Sequence, residues 1–432
     1  MNKILRKLKR WITGLAKKHS RLMRILRFLR NLYSLVRYKI QTFYIKTDPK
    51  MVIFASFEGR SYSDNPKALF EYMVGSGKYN DYTYVWGFRG DISGKQRLFD
   101  ERFPDCHIEV VSYGSREWRK NTARAGYWIF NYKIGDSIKP KADQIFLQTW
   151  HGTPLKRLGH DLEHFDNALN SKEGIQKRYD KEVLKFTYFI SPSPFATEKF
   201  KSAWRMDDFG KSDVMLEVGY PRNDALIDLP PKKMESLRSD ILGDDYKRIL
   251  GKRILLYAPT FRSNQHESGL GYTYKEETDF GKLYKRLGSD FIILYRAHYF
   301  VANKFDFKKY DGFVYDVSSY EDINDLYIIS DMLITDYSSS MFDYADLKRP
   351  MIFYMYDLDH YRDESNGFYF DPYEVLPGPI VKNDDELIDA VIYQNENFKY
   401  DDKYINFNAK FNPWDDGHVS ERVIKKVFGE GK

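Results

Sequence analysis

From residue 51 onward, short apolar runs alternate with longer stretches whose apolar positions recur every three or four residues. The short runs predict buried strands at Met51–Ser56, Thr83–Gly87, Tyr127–Asn131, Gln144–Thr149, Tyr188–Ser191 and Val214–Val218. A polar, charged region around Pro230–Gly251 follows, and a second series then begins. Its strands are predicted at Arg253–Tyr257, Phe291–Tyr295, Gly312–Tyr315, Met332–Thr335 and Met351–Tyr356. Strands that alternate with amphipathic helices build parallel sheets from βα units. The pattern therefore predicts an α/β chain with two facing Rossmann-like domains, over 50–230 and 250–432, preceded by an arm over 1–45.

The arm has a different pattern. Ile4, Leu8, Trp11, Leu15, Leu22, Leu26, Leu29, Leu32 and Val36 follow one another mostly in steps of three or four, the stripe of an amphipathic helix that Gly14 divides. Lys3, Arg6, Lys7, Lys9, Arg10, Lys17, Lys18, Arg21, Arg24, Arg27 and Arg30 occupy the rest of the circumference. Residues 1–39 hold 13 Lys or Arg and no acid, so from a total of +6 the remainder sums to −7. This is a basic arm on a mildly acidic body, which argues against a nucleic-acid binder. Basic residues interrupt every apolar stretch, which excludes a membrane span and a signal peptide. A cationic amphipathic helix carrying Trp11 fits the interface of an anionic membrane, where each basic residue adds about 1 kcal/mol. The alternative is a helix packed on its own protein with solvated charges. The lack of any Asp or Glu favours the membrane, because exposed structural helices mix signs for i,i+4 pairs.

Composition narrows the class further. A length of 432 residues suits two or three domains, and an aromatic content of 17% is too high for a disordered chain. A single cysteine, Cys106, excludes a disulfide framework and a cysteine zinc site.

The unusual residues gather immediately after the strands. They are Trp150-His151-Gly152-Thr153-Pro154, Pro192-Ser193-Pro194, Gly219-Tyr220-Pro221-Arg222-Asn223-Asp224, Ala258-Pro259-Thr260-Phe261-Arg262, Arg296-Ala297-His298-Tyr299 and Asp336-Tyr337-Ser338-Ser339-Ser340. Ligands of open α/β sheets bind beyond the carboxyl ends of strands, so six such clusters predict a site between the domains. Ser338, Ser339 and Ser340 precede a predicted helix whose free N–H groups would seat a phosphate, although serine also serves as a plain cap. Arg262, Arg296 and His298 supply cations at neighbouring strand ends. His151, in a tight turn, has the chemistry of a general base or of a histidine that caps its own loop. Asp357 and Asp359 read as an ordinary polar exit rather than a metal pair. Neither G-x-x-x-x-G-K-[ST] nor G-x-G-x-x-G occurs, so the chain is neither a P-loop enzyme nor a standard dinucleotide binder.

The segments WHGTPLKRLGHD, SPSPFATEKF, GYPRND, LYAPTFR, RAHY and SDMLITDYSSSMFDYADLKRPMIFYMYDLDHY, in order over about residues 145–370, resemble the motif series of the CDP-glycerol glycerophosphotransferase family of teichoic acid synthesis. The resemblance implies a GT-B-type fold, an acceptor domain over 50–230 and a CDP-donor domain over 250–432. It also implies transfer of glycerol phosphate from CDP-glycerol to a hydroxyl of a polyprenyl-diphosphate-linked acceptor or growing polymer, with release of CMP and without a bound cofactor. His151 would take the hydroxyl proton, and His298 and Arg262 would bind the pyrophosphate and stabilise the leaving CMP. Arg296, Asp336, Ser338, Ser339 and Asp343 would complete the donor site. The family works at the cytoplasmic face of the cell membrane, which agrees with the arm read as a peripheral anchor. Rival readings are a CDP-ribitol enzyme of the same family, a sugar-transferring GT-B enzyme and a non-catalytic scaffold.

Overall fold

Each central strand is an apolar run because helices cover both faces of its sheet; Met51, Val52, Ile53 and Phe54 are all fully buried. A computed structural model describes residues 20–163, 166–167, 170–227, 229–260, 266–267, 271–272, 278–297, 306–358 and 367–429. Helix α1 (Ser20–Thr42) leads into the first sheet. Its strands are β1 (Asp48–Ala55), β2 (Thr83–Phe88), β3 (His107–Ser112), β4 (Ala125–Phe130), β5 (Ile145–Gln148), β6 (Tyr188–Ser191) and β7 (Met215–Glu217). All pair in parallel, in the order β3-β2-β1-β4-β5-β6-β7. The helices are α2 (Asp64–Gly75), α3 (Ile92–Arg102), α4 (Arg116–Arg124), α5 (Lys172–Val183) and α6 (Pro194–Ala203). Asp91, Ser115, Ser171 and Ser193 cap four of them by accepting backbone N–H bonds.

The second domain opens with α7 (Pro231–Leu242). Its sheet comprises β8 (Arg253–Ala258), β9 (Phe291–Tyr295), β10 (Val314–Asp316), β11 (Met332–Thr335), β12 (Met351–Tyr354) and β13 (Ile380–Val381). The order is β10-β9-β8-β11-β12-β13, again all parallel. In both sheets the strand order reverses beside the first strand, between β1 and β4 and between β8 and β11. Crevices open at such switch points.

All eleven predicted strands are present, within a few residues of the predicted ends. Edge strands β3 and β13 escaped prediction because the first mixes polar and apolar residues and the second spans two residues. The polar region at 230–251 is an ordered helix and turn whose Leu242 and Ile249 join the second core. The last helix, α8 (Val419–Phe428), returns to the first domain, where Val419, Val423, Ile424 and Val427 are buried with Leu69 and Phe70 of α2. Among the described residues, α7 thus belongs with the second core and α8 with the first.

The return segment carries a titratable pair. Asp346 is buried and Asp415 half-buried, and the two carboxyls are hydrogen-bonded to each other. Asn223 Nδ2 donates to both, at 3.1 and 2.8 Å, and Asn412 Nδ2 donates to Asp346 at 2.8 Å. Burial pushes Asp415 up to about 7 and Asp346 well above the carboxylate range, with Asp343 adding repulsion. A raised folded-state pKa means stability present below the unfolded value, about 3.9, and lost as pH rises through about 7. Denaturant unfolding should therefore show falling stability between about pH 4 and 7, and Asp415→Asn should flatten that slope.

Candidate active site

The cleft is built where the two switch points face each other. It encloses about 410 Å³, within the roughly 300–1,000 Å³ of small-molecule sites. Phe57, Arg60, Asp64, His151 and Arg222 line it from the first domain, and Thr260, Arg296, Ser338, Ser339 and Asp343 from the second. Strain collects on the first-domain side. Of six non-glycine residues with left-handed backbone angles among the described residues, Phe57, Glu58, Asp64 and Trp150 lie here, with φ of 48°, 58°, 66° and 52°.

His151 follows β5, and its ring is held by three aromatic neighbours, Trp150, Tyr132 and Phe57, at 4.3, 5.4 and 5.7 Å between centroids. Trp150 is itself wedged against Trp204, Phe189 and Phe200, which secures the strained turn. His151 Nδ1 lies 2.7 Å from the Asn131 carbonyl. A carbonyl oxygen only accepts, so Nδ1 carries the proton and Nε2 of the neutral ring carries the lone pair. Burial lowers the imidazole pKa from its ordinary 6.5, against the Asn131 bond and Asp64, which raise it. The ring is thus neutral and basic at physiological pH. Gly152 is required by close approach, because a Cβ there would collide with Ser339 Oγ from the opposite domain.

The donor-site residues expected from the sequence separate into three groups. Ser338, Ser339 and Arg296 line the cleft. Arg296 also anchors its own wall, donating from Nη1 to the Tyr320 carbonyl at 2.7 Å. Asp343 lines the cleft as well, and both it and Asp336 are engaged by protein partners. Asp336 Oδ1 accepts the Thr260 and Tyr337 N–H groups at 2.9 and 2.6 Å, tying the ends of β8 and β11 together. The Asp343 carboxylate is occupied by Arg222, at 2.8 and 3.0 Å. Arg262 and His298 lie outside the described residues. The helix after the serines runs only Ser340–Tyr344, so its dipole is small and Ser338 Oγ accepts the Ser340 N–H at 3.2 Å. Asp357 accepts a bond from the Tyr337 hydroxyl at 2.9 Å, as a polar exit would, and Asp359 lies outside the described residues.

Sequence reasoning underrated Arg222 and missed Asp64. Arg222 Nη1 donates to Asp64 Oδ1 at 3.0 Å while Nη2 binds Asp343, and all three side chains are buried. The guanidinium also stacks 4.4 Å from the Tyr220 ring. Its backbone N–H donates to Asn65 Oδ1, and Asn65 Nδ2 in turn donates to the Thr149 and Trp150 carbonyls. A single network therefore runs from the His151 turn to the helix after the serines. GYPRND marked the place, but only the fold shows two distant aspartates converging on its arginine. Lys67–Asp322 at 2.5 Å, and Lys95 with Glu321, close the same interface further out.

Two parallel-sheet domains joined across a cleft, with an uncharged histidine opposite a serine turn, define a GT-B-like transferase. Residues 36–429 match the family described as CDP-Glycerol:Poly(glycerophosphate) glycerophosphotransferase, and the chain belongs to that family. The teichoic acid glycerol-phosphate transferase of Staphylococcus aureus is 38% identical over 88% of this chain and 92% of its own length. The teichoic acid poly(glycerol phosphate) polymerase of Bacillus subtilis is 39% identical over 88% of this chain, which spans 48% of that longer protein. Among solved structures, the wall teichoic acid polymerase TagF superposes with a TM-score of 0.78 at 33% identity, covering 94% of this chain and 97% of TagF. A variant of it was soaked with CDPG.

Proposed function

We propose that this chain transfers glycerol phosphate from CDP-glycerol to a hydroxyl of a lipid-linked teichoic acid acceptor. The observation that carries the reading is the His151 Nε2 lone pair, held in the cleft facing the serine turn by the Nδ1–carbonyl bond. The acceptor oxygen attacks the glycerol-bearing phosphorus, its proton passes to Nε2, and the bond to the CMP oxygen breaks. Such transfers rely on positioning and charge stabilisation. Arg296 and the Ser338–Ser339 turn contact the pyrophosphate, joined by Arg262 and His298, and the 50–230 half receives the acceptor. Product mass analysis with a synthetic lipid acceptor and CDP-glycerol should show one added glycerol phosphate and released CMP. Transfer from CDP-ribitol alone, or of a sugar, would overturn the reading.

Donor binding makes its own prediction. Arg262→Ala and Ser339→Ala should each weaken CDP-glycerol by roughly 1–3 kcal/mol through lost bonds to phosphate. Titration calorimetry checks this, and unchanged affinity in both variants would place the phosphates elsewhere.

The arm supports action at a membrane surface. No described helix is long and apolar enough to cross a membrane. On α1, Ser34, Leu35, Tyr38, Gln41 and Thr42 turn inward, with Gln41 accepting from Arg119 of α4 at 2.6 Å. Leu26, Leu29, Leu32 and Val36 of the predicted stripe are exposed, together with Phe28, Tyr33 and Ile40. A helix packed along that stripe would have buried it. Arg30 is exposed beside it, Arg21, Arg24 and Arg27 fall within α1, and Lys3, Arg6, Lys7, Lys9, Arg10, Trp11, Lys17 and Lys18 lie outside the described residues. The intact protein should cosediment with anionic but not zwitterionic vesicles and be released near 1 M salt, where the Debye length is about 3 Å. Equal binding to both vesicle types would sink the electrostatic anchor.

A further inference from the structure

We propose that Lys133, with Arg60 and Arg178, forms a binding site beside His151 for a phosphate of the acceptor chain. The inference rests on the function proposed above, which makes the acceptor a polyol-phosphate chain with a negative charge at every diester. Strands β1, β4 and β5 are neighbours, and their carboxyl ends deliver Phe57–Arg60, Asn131–Lys133 and His151 side by side. Arg60 lines the cleft, whereas Tyr132 and Lys133 lie next to it and do not. The Tyr132 ring contacts His151 at 5.4 Å, and the Lys133 ammonium lies 5.5 Å over that same ring.

Lys133 is half-buried, yet it makes no ion pair or hydrogen bond among the described residues. Its neighbours make that position unfavourable for a cation. Burial and the charges of Arg178 and Arg60 lower its pKa, against Glu182 and Glu58. Glu58 already pairs with Arg60 and Arg89, both at 3.2 Å. Glu182 is buried, burial pushes its carboxyl up to about 7, and the countercharge it keeps at neutral pH is shared with Lys185. Lys133, Arg60 and Arg178 thus bring three cations together on the first-domain side of the base. A half-buried lysine among like charges is costly unless an anion joins it. The terminal hydroxyl of a polyol-phosphate chain is one polyol away from the preceding phosphate. His151 and Lys133 both lie against the Tyr132 ring, so in this proposal the phosphate one polyol behind a chain end at Nε2 is the one that Lys133 takes.

The test is binding of synthetic tri(glycerol phosphate) to the full chain by calorimetry, without donor. Lys133→Gln should weaken it about ten-fold and Arg178→Gln several-fold, while Lys133→Arg stays within about three-fold, as expected for charge-assisted contacts. CDP-glycerol affinity should be unchanged in all three, and wild-type affinity for the trimer should fall with salt. In turnover, Lys133→Gln should raise the KM for a phosphate-bearing acceptor and leave glycerol as acceptor unaffected. Equal trimer affinity in wild type and Lys133→Gln, or an equal loss of CDP-glycerol affinity, would overturn the proposal. Trimer binding that depends on Lys133 in a protein that moves no glycerol phosphate would uphold the site and remove the function proposed above.

Discussion

Replacing His151 by alanine is expected to lower transfer by about 10²–10⁴-fold while CDP-glycerol affinity stays within a few-fold. The size follows from losing the group that accepts the hydroxyl proton, and the specificity follows from geometry. The imidazole is held by the Asn131 carbonyl and by first-domain rings, whereas the serine turn and Arg296 belong to the second domain. The pH profile gives an independent reading. A base must be deprotonated to act, and burial lowers the His151 pKa below 6.5. The acid limb of kcat/KM should therefore fall below pH 6.5 and disappear in the variant. Turnover within a few-fold of wild type would remove His151 from the role.

Arg222→Ala should produce the largest loss of stability, about 3–5 kcal/mol, the range for removing one partner of a buried ion pair. The cost comes from what stays behind. Asp64 and Asp343 would be left as buried carboxylates from opposite domains with their shared cation gone. Asp64 also holds a left-handed backbone angle that the arginine helps secure. Arg222→Lys should recover only part of the loss, since an ammonium lacks the planar fork that reaches both carboxylates. Denaturant unfolding measures the difference. Activity should fall with stability, because the same network carries Asn65 to the Trp150 carbonyl beside the base. A variant as stable as wild type would show the triad to be dispensable.

How much of this could be read from residue order depends on the range of the interaction. The eleven strands, the two-domain α/β class and the chemistry after β5, β8 and β11 follow from local pattern. A buried run of Val, Ile, Leu and Phe leaves one good solution, and turn residues mark where it ends. His151, Arg296, Ser338 and Ser339 were legible for that reason and do line one cleft. The apolar stripe of the arm was legible too, although only the fold shows that α1 packs through another face and leaves Leu29, Leu32 and Val36 exposed. Tertiary structure alone decided which charges meet. Asp343 entered the donor site through the family resemblance alone, and only the fold shows that it pairs with an arginine 121 positions away. The last helix, amphipathic by its own sequence, had no mark to say whose core it would join, and it crossed back to α2. Periodicity records which face of an element is apolar, because that depends on neighbours three or four residues along the chain. Partners brought together from opposite ends of the chain leave no periodic trace, and they become visible only when the two sheets close on each other.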